Sequence, residues 1–140
     1  MAEPRVLRAG EIETVDRGSG VRTTPLVGKW NSERAAVTTG TTAFAPGTEL
    51  PLHTHNVDES IVLLEGEALA TIDGERHELA AGDATWIPAG LQHAFRNRGS
   101  GTLRILWIYV GRDITRTIVE TGETFAHLSA GDRALARRSG

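Results

Sequence analysis

The chain has no cysteine, one methionine, one tyrosine and only 5% aromatic residues. Without thiols it can build neither a disulfide framework nor a thiolate metal site, so any metal must be held by nitrogen and oxygen. Long apolar runs are also missing. The longest, Ile105 to Val110, is far short of the roughly 20 residues a membrane-spanning helix needs, and suits a buried strand. Met1-Ala2-Glu3-Pro4-Arg5 lacks the basic-then-apolar pattern of a signal peptide, so the expectation is a cytoplasmic protein with no membrane partner. Positive charge is scarce: 15 Lys and Arg against 18 Asp and Glu leave a net charge of −3. That balance speaks against nucleic acid as a partner, and the short basic tail from Arg133 to Arg138 does not reverse it. The tail reads as a frayed terminus.

Helical periodicity is nearly absent as well. Only Ser129 to Arg138 could be helical, and briefly. What is present is period-2 alternation cut by turns from about residue 20 to residue 120. Val21 to Val27 and Ala35 to Ala45 are rich in Thr and Val, as half-buried strands tend to be. Further strands are expected at Leu52 to His55, Ser60 to Glu65, Ala68 to Ile72, Arg76 to Leu79, Ala84 to Ile87, His93 to Asn97, Leu103 to Val110 and Thr115 to Glu120. Asp73-Gly74 is a strong type I′ hairpin signal. About ten short strands separated by Gly, Pro, Asn and Asp predict an all-β sandwich or barrel. A length of 140 residues makes one domain. Its barrel is expected over residues 21–120, with extensions at 1–20 and 121–140 that either fray or pack on a partner subunit.

Two turn-bounded segments carry the chemistry. The first runs Gly47, five residues, His53-Thr54-His55, three residues, Glu59, six residues, Gly66. The second runs Gly82, five residues, Pro88-Ala89-Gly90, two residues, His93, three residues, Asn97. Residues i and i+2 of a strand share a face, so His53 and His55 point together. Asn56-Val57-Asp58 is a short turn that brings Glu59 back toward them, and His93 arrives from a separate strand after a rigid turn. Imidazole nitrogens and a carboxylate suit iron, manganese, zinc, nickel, cobalt or copper. His53, His55, Glu59 and His93 are therefore the expected ligands of one divalent transition metal. Four such ligands leave two positions of a six-coordinate ion open for substrate, water or O₂. A lone His-x-His pair would mean little; two segments matching together mean much more. His77, beside Glu75 and Arg76 on the hairpin, reads as solvated. His127 has no spacing that ties it to the site, and Asp58 has the opposite strand parity to Glu59.

Gly47 to Gly66 and Gly82 to Asn97, with 15 residues between them, resemble the two conserved motifs of the cupin superfamily. The short spacer is typical of small single-domain bacterial members, and the motifs cover about a quarter of the chain. The resemblance implies an antiparallel jelly-roll barrel (a double-stranded β-helix) with a metal inside one mouth, commonly assembled as a homodimer. By position, His53, His55, Glu59 and His93 match the family's metal ligands. Family members include dioxygenases, decarboxylases, isomerases, epimerases, lyases, polyketide cyclases, storage proteins and sugar-sensing domains, and fold alone does not choose among these.

Three functions compete on this reading. The first is a metal-dependent enzyme acting on a small organic molecule by oxygenation, or by metal-assisted cyclase, lyase or isomerase chemistry. The second is a non-catalytic module that uses the metal to bind or sense a small ligand. The third is a barrel whose metal only stabilises it. Ile61, Leu63, Phe95, Trp107 and Tyr109 are expected to line the pocket, which would favour a partly apolar or aromatic substrate. No catalytic base beyond Glu59 stands out. Leu103 to Val110 is apolar on both faces, so its outer face is expected to meet a second subunit.

Overall fold

The computed structural model describes residues 4–139, so Met1, Ala2, Glu3 and Gly140 lie outside it. Fourteen strands follow in chain order: β1 (Val15–Asp16), β2 (Val21–Pro25), β3 (Thr38–Phe44), β4 (Thr48–Glu49), β5 (His53–His55), β6 (Glu59–Glu65) and β7 (Glu67–Ile72). Then come β8 (Glu75–Ala80), β9 (Ala84–Ile87), β10 (His93–Asn97), β11 (Leu103–Tyr109), β12 (Thr115–Ile118), β13 (Thr124–Ala126) and β14 (Arg137–Arg138). Among the described residues the one α-helix, α1, is a single turn at Ala130–Arg133, and a 3₁₀ turn spans Ala9–Glu11. One sheet runs β1-β2-β3-β11-β6-β9; the other runs β13-β12-β5-β10-β4-β14, with β7 on β10 and β8 on β7. Every strand pair is antiparallel, and the two sheets make a jelly-roll barrel. No helix among the described residues is long and apolar enough to cross a membrane.

Strand alternation puts the core inside. Leu103, Ile105, Trp107 and Tyr109 of β11 face inward with Ile61 and Leu63 of β6 and with Phe44 of β3. Each such side chain contributes on the order of 1.5–3 kcal/mol by leaving water. Gly40 on β3 sits opposite Trp107, and a Cβ there would overlap the indole, so the missing side chain is what lets the ring lie against the strand. Asp73 and Gly74 both have positive φ, 50° and 82°, as the type I′ hairpin between β7 and β8 requires.

Within the described residues, the flanking segments do not stand free of the barrel. They are tied to the barrel of their own chain, which corrects the expectation of a frayed basic tail. β1 pairs with β2, β13 with β12, and β14 with β4. Arg17 and Asp132, one from each flank, are buried and meet each other through Arg17 Nη2 and the Asp132 backbone oxygen at 2.9 Å. The basic tail is anchored too, with Arg137 within 3.5 Å of Glu49 and 3.6 Å of Glu120. Short strands of two or three residues, held by charges far apart in sequence, leave no periodic trace.

Candidate metal centre

His53 and His55 stand on one face of β5, with Thr54 turned the other way. Register fixes their neighbours: His53 lies opposite His93 of β10 and Ile118 of β12, and His55 lies opposite Arg116 of β12. Glu59 opens β6 and His93 opens β10, so all four side chains converge where three strands begin or end. All four are buried, at 5% exposure or less. One nitrogen from each of the three imidazoles lies within 4.8 Å of the others. Glu59 Oε1 lies 3.1 Å from His93 Nε2 and 3.7 Å from His55 Nε2.

The turns around the site are themselves pinned. Asp58 points away from the histidines, as its parity predicts, and its carboxylate accepts from Ala89 N at 2.8 Å. Gly90 N, at φ 81°, donates to His55 O at 2.9 Å. Asn56 donates to Asp113 O and accepts from Thr115 N, closing the other side. Asn97 bridges Phe44 O and Gly101 O through its amide, so its part is to hold backbone rather than to face the site.

Each histidine has its Nδ1 against a backbone carbonyl: His53 on Pro51 O at 2.6 Å, His55 on Thr115 O at 3.0 Å, His93 on Leu91 O at 2.9 Å. A carbonyl oxygen only accepts, so all three Nδ1 atoms carry the proton. In the neutral rings the three Nε2 lone pairs therefore face inward, the tautomer that a metal-binding histidine adopts when its other nitrogen is tied down. Burial drives the His53 imidazole well below its ordinary value and that of His55 to about 3, so both stay neutral. Burial alone would raise the Glu59 carboxyl, but its close approach to His93 and His55 and the Arg116 charge hold it below the ordinary range. Among the described residues, Glu59 Oε1 and His93 Nε2 are both buried without a hydrogen-bond partner. A cation among these atoms would satisfy them together, and the nitrogen-and-oxygen donor set fits a divalent transition metal.

The site opens into a cavity of about 440 Å³, mouth included. Ile61, Phe95, Trp107 and Tyr109 line it. Leu63 does not; it is packed in the core beyond the cavity, because strand parity gives the face of a residue and not its depth in the barrel. The Tyr109 hydroxyl lies 3.3 Å from His55 Nε2, and burial with the nearby Glu59 charge pushes the phenol well above its ordinary range.

His127 also lines the cavity, contrary to the sequence expectation, with its ring edge-on to Trp107 and Tyr109 at 5.0 and 5.2 Å. Burial, then the Arg116 charge, lower its imidazole to about 3. The rest of what sequence reasoning missed is charge. Arg17 and Arg116 reach into the same cavity, and Asp132 bridges them from behind. A signal for Arg116 was available: in Ile114-x-Arg116-x-Ile118 the arginine shares its face with two apolar residues and so points inward. His77 is solvated on β8 beside Glu75, as expected.

Comparison with known proteins agrees with this geometry. Residues 40–109, half of the chain, match the family described as the Cupin domain. The chain is 32% identical over 109 residues to "Quercetin 2,3-dioxygenase" of Bacillus subtilis (strain 168), a match over 77% of this chain and 32% of that protein. It is also 32% identical over 113 residues to "Gentisate 1,2-dioxygenase" of a Ralstonia species, over 77% of this chain and 31% of that one. The chain thus spans about a third of the length of these two curated relatives. Among solved structures, an RmlC-like cupin from Shewanella frigidimarina superposes with a TM-score of 0.67 at 19% identity, covering 79% of this chain and 93% of that one. A predicted oxalate decarboxylase from Thermotoga maritima gives 0.66 at 24% identity, over 76% and 99%. At those identities the likeness is one of fold. The jelly roll, the convergence of His53, His55 and His93 at its mouth and the profile match across half the sequence lead to one statement: the chain belongs to the cupin family.

Proposed function

We propose that this protein is a metal-dependent enzyme acting on a small organic molecule, with one divalent transition metal held by His53, His55, Glu59 and His93. The observation that carries the reading is the set of three inward-facing Nε2 atoms around the unpartnered carboxylate oxygen of Glu59. When bound, such a metal supplies Lewis acidity and open positions for substrate, water or O₂. The chain's own residues do the rest. Trp107, Phe95 and Ile61 exclude water and pack on the carbon skeleton. The Tyr109 hydroxyl, held protonated by burial, is a hydrogen-bond donor aimed at the ligand cluster. Oxygenation is the favoured chemistry, supported by the two dioxygenases among the relatives. Lyase chemistry follows, supported by 43% identity over 54 residues to "Dimethylsulfoniopropionate lyase DddW" of Ruegeria pomeroyi, 39% of this chain and 36% of that one.

A second reading, a non-catalytic metal-dependent module that binds a small ligand, is favoured by one feature. Among the described residues Glu59 is the only carboxylate lining the cavity, which leaves His127 as the one base outside the ligand set. On either reading the protein works as a cytoplasmic homodimer, with the outer face of β11 at the interface. The deciding experiment is elemental analysis of protein purified without an affinity tag, followed by O₂ consumption with candidate substrates. Iron or copper with O₂ uptake supports an oxygenase; zinc or nickel without it supports lyase or cyclase chemistry. Protein that binds no metal under any loading condition would refute the proposal.

A further inference from the structure

The cavity holds more positive charge than its metal ligands call for. Arg17 and Arg116 are both buried and both line it. They face a single counter-charge of their own, Asp132, whose carboxylate is itself buried and shared between them. Glu59 is the other buried carboxylate of the cavity, and it is turned to the histidines. Two guanidinium groups stand against the two carboxylates of Asp132 and Glu59 and balance them. A divalent metal would then bring the enclosed charge to +2. Excess charge of one sign in a water-poor site is strongly unfavourable unless a ligand of opposite charge enters with the metal.

The donors to receive such a ligand are in place. Among the described residues the Arg116 guanidinium spends one hydrogen bond, to Asp132 Oδ1, and its Nε is buried without a partner. Arg17 gives Nη1 to Thr23 Oγ1 at 3.0 Å and Nη2 to Asp132 O, and its Nε is likewise unpartnered. An arginine offers five N–H donors in a planar fork matched to a carboxylate. Arg116 is also next to the ligands: it is the register partner of His55 across β5 and β12, with both side chains turned into the barrel. Behind Arg17 the hydroxyls of Thr23 and Thr42 bond each other at 2.9 Å, and Trp107 Nε1 donates to Thr42 at 2.9 Å. That chain fixes the guanidinium and the indole in one arrangement, with the apolar wall of the cavity beside the cationic one.

We propose that Arg116, supported by Arg17 and Asp132, is the anion-recognising wall of this cavity, and that the molecule it takes is a small organic carboxylate. The carboxylate rests on Arg116 and a neighbouring oxygen of the same molecule faces the histidine cluster. The narrow cavity sets the size, and Trp107, Phe95 and Ile61 accommodate the carbon skeleton. The inference rests on the metal-centre reading above and names the substrate class of that same site.

The test uses metal-loaded protein and paired probes: lactate, pyruvate and salicylate, each against its neutral amide, with affinity read by calorimetry and metal content measured on the same samples. At least one carboxylate should bind about tenfold or more tighter than its amide, the scale of a hydrogen bond to a charged group. Arg116→Gln should abolish that preference while metal content stays unchanged, and Arg116→Lys should restore part of it. Because Arg116→Gln leaves Asp132 short of a partner, Arg116→Gln combined with Asp132→Asn is made alongside; it removes one charge of each sign and should lose the preference equally. Equal binding of acids and amides by the wild type, no carboxylate binding at millimolar concentration, or a preference that survives in Arg116→Gln and in its combination with Asp132→Asn would overturn the inference. Loss of metal from the wild type would instead overturn the metal-centre reading, so the two failures are distinguishable.

Discussion

Glu59 Oε1 lies 3.1 Å from His93 Nε2, and among the described residues neither atom has a hydrogen-bond partner. With Nδ1 of His93 donating to Leu91 O, two electron pairs face each other across that gap unless a cation stands between them. His53 and His55 turn their Nε2 atoms to the same place, with the Tyr109 hydroxyl 3.3 Å from that of His55, so the three histidines form one cluster that could hold a cation.

Removing one member should therefore empty the site. His53→Ala, His55→Ala and His93→Ala should each lower metal affinity by more than the 10- to 100-fold loss typical of deleting a residue that merely orients a ligand. Glu59→Gln preserves shape but removes the negative charge, and should weaken binding too. His77→Ala, a substitution on the solvated β8 hairpin, should leave metal content unchanged. The check is metal stoichiometry by mass spectrometry with chelator competition. Full occupancy in His93→Ala would remove His93 from the ligand set.

The metal-free protein should be acid-sensitive in a defined window. Burial keeps His53 and His55 neutral in the folded state, with His55 lowered to about 3, while the unfolded chain takes up a proton at each near pH 6.5. The unfolded state thus binds more protons below that pH, and stability falls as pH drops. It is fully present above about pH 6.5 and declines from there toward the folded values, with a slope of about two protons from this pair. Urea unfolding of chelator-treated protein at a series of pH values measures that slope, and a flat profile between pH 7 and pH 5 would contradict it.

The β-barrel and the histidine pattern were legible because they are written in short-range spacing. Alternation, Asp73-Gly74 and the His53-Thr54-His55 triplet each act within a few residues, and the folded register merely brings them together. Depth was not legible: Ile61 and Leu63 have the same parity, yet only Ile61 reaches the cavity. Nor were contacts that join the two ends of the chain. Arg17, Arg116, His127 and Asp132 come from short segments with no period, and only Ile114-x-Arg116-x-Ile118 shows in local sequence that one of them turns inward.

Asp132 should matter to stability far more than a residue of a four-residue helix suggests. Its carboxylate accepts from Arg116 and from Leu128 N at 2.8 Å, and it stands 3.6 Å from Arg17. Leu128 is at φ 61°, a conformation unfavourable for a branched side chain, and that hydrogen bond helps hold it. Asp132→Ala leaves two buried guanidinium groups without a counter-ion, a change that costs on the order of 3–5 kcal/mol when a buried pair is broken. A chemical-denaturation midpoint within error of the wild type would show that the two arginines are neutralised some other way.

The outer face of the first sheet should join two copies of the chain. Leu106 and Ile108 of β11 are half-buried there, and on the same sheet Leu64 and Trp86 are 47% and 58% exposed, with Val110 just past β11 at 49%. Scattered exposed apolar residues need no explanation, but here they recur on adjacent strands β9, β6 and β11. A two-fold axis through that face would bury the same residues from each copy against one another. Trp86→Glu and Ile108→Glu place a charge at two points of the face without touching the cavity, so they should yield monomers that keep their metal. Light scattering across micromolar concentrations reads the outcome. A wild type that is monomeric throughout that range would end the dimer proposal and leave the metal centre untouched, since all four expected ligands come from one chain.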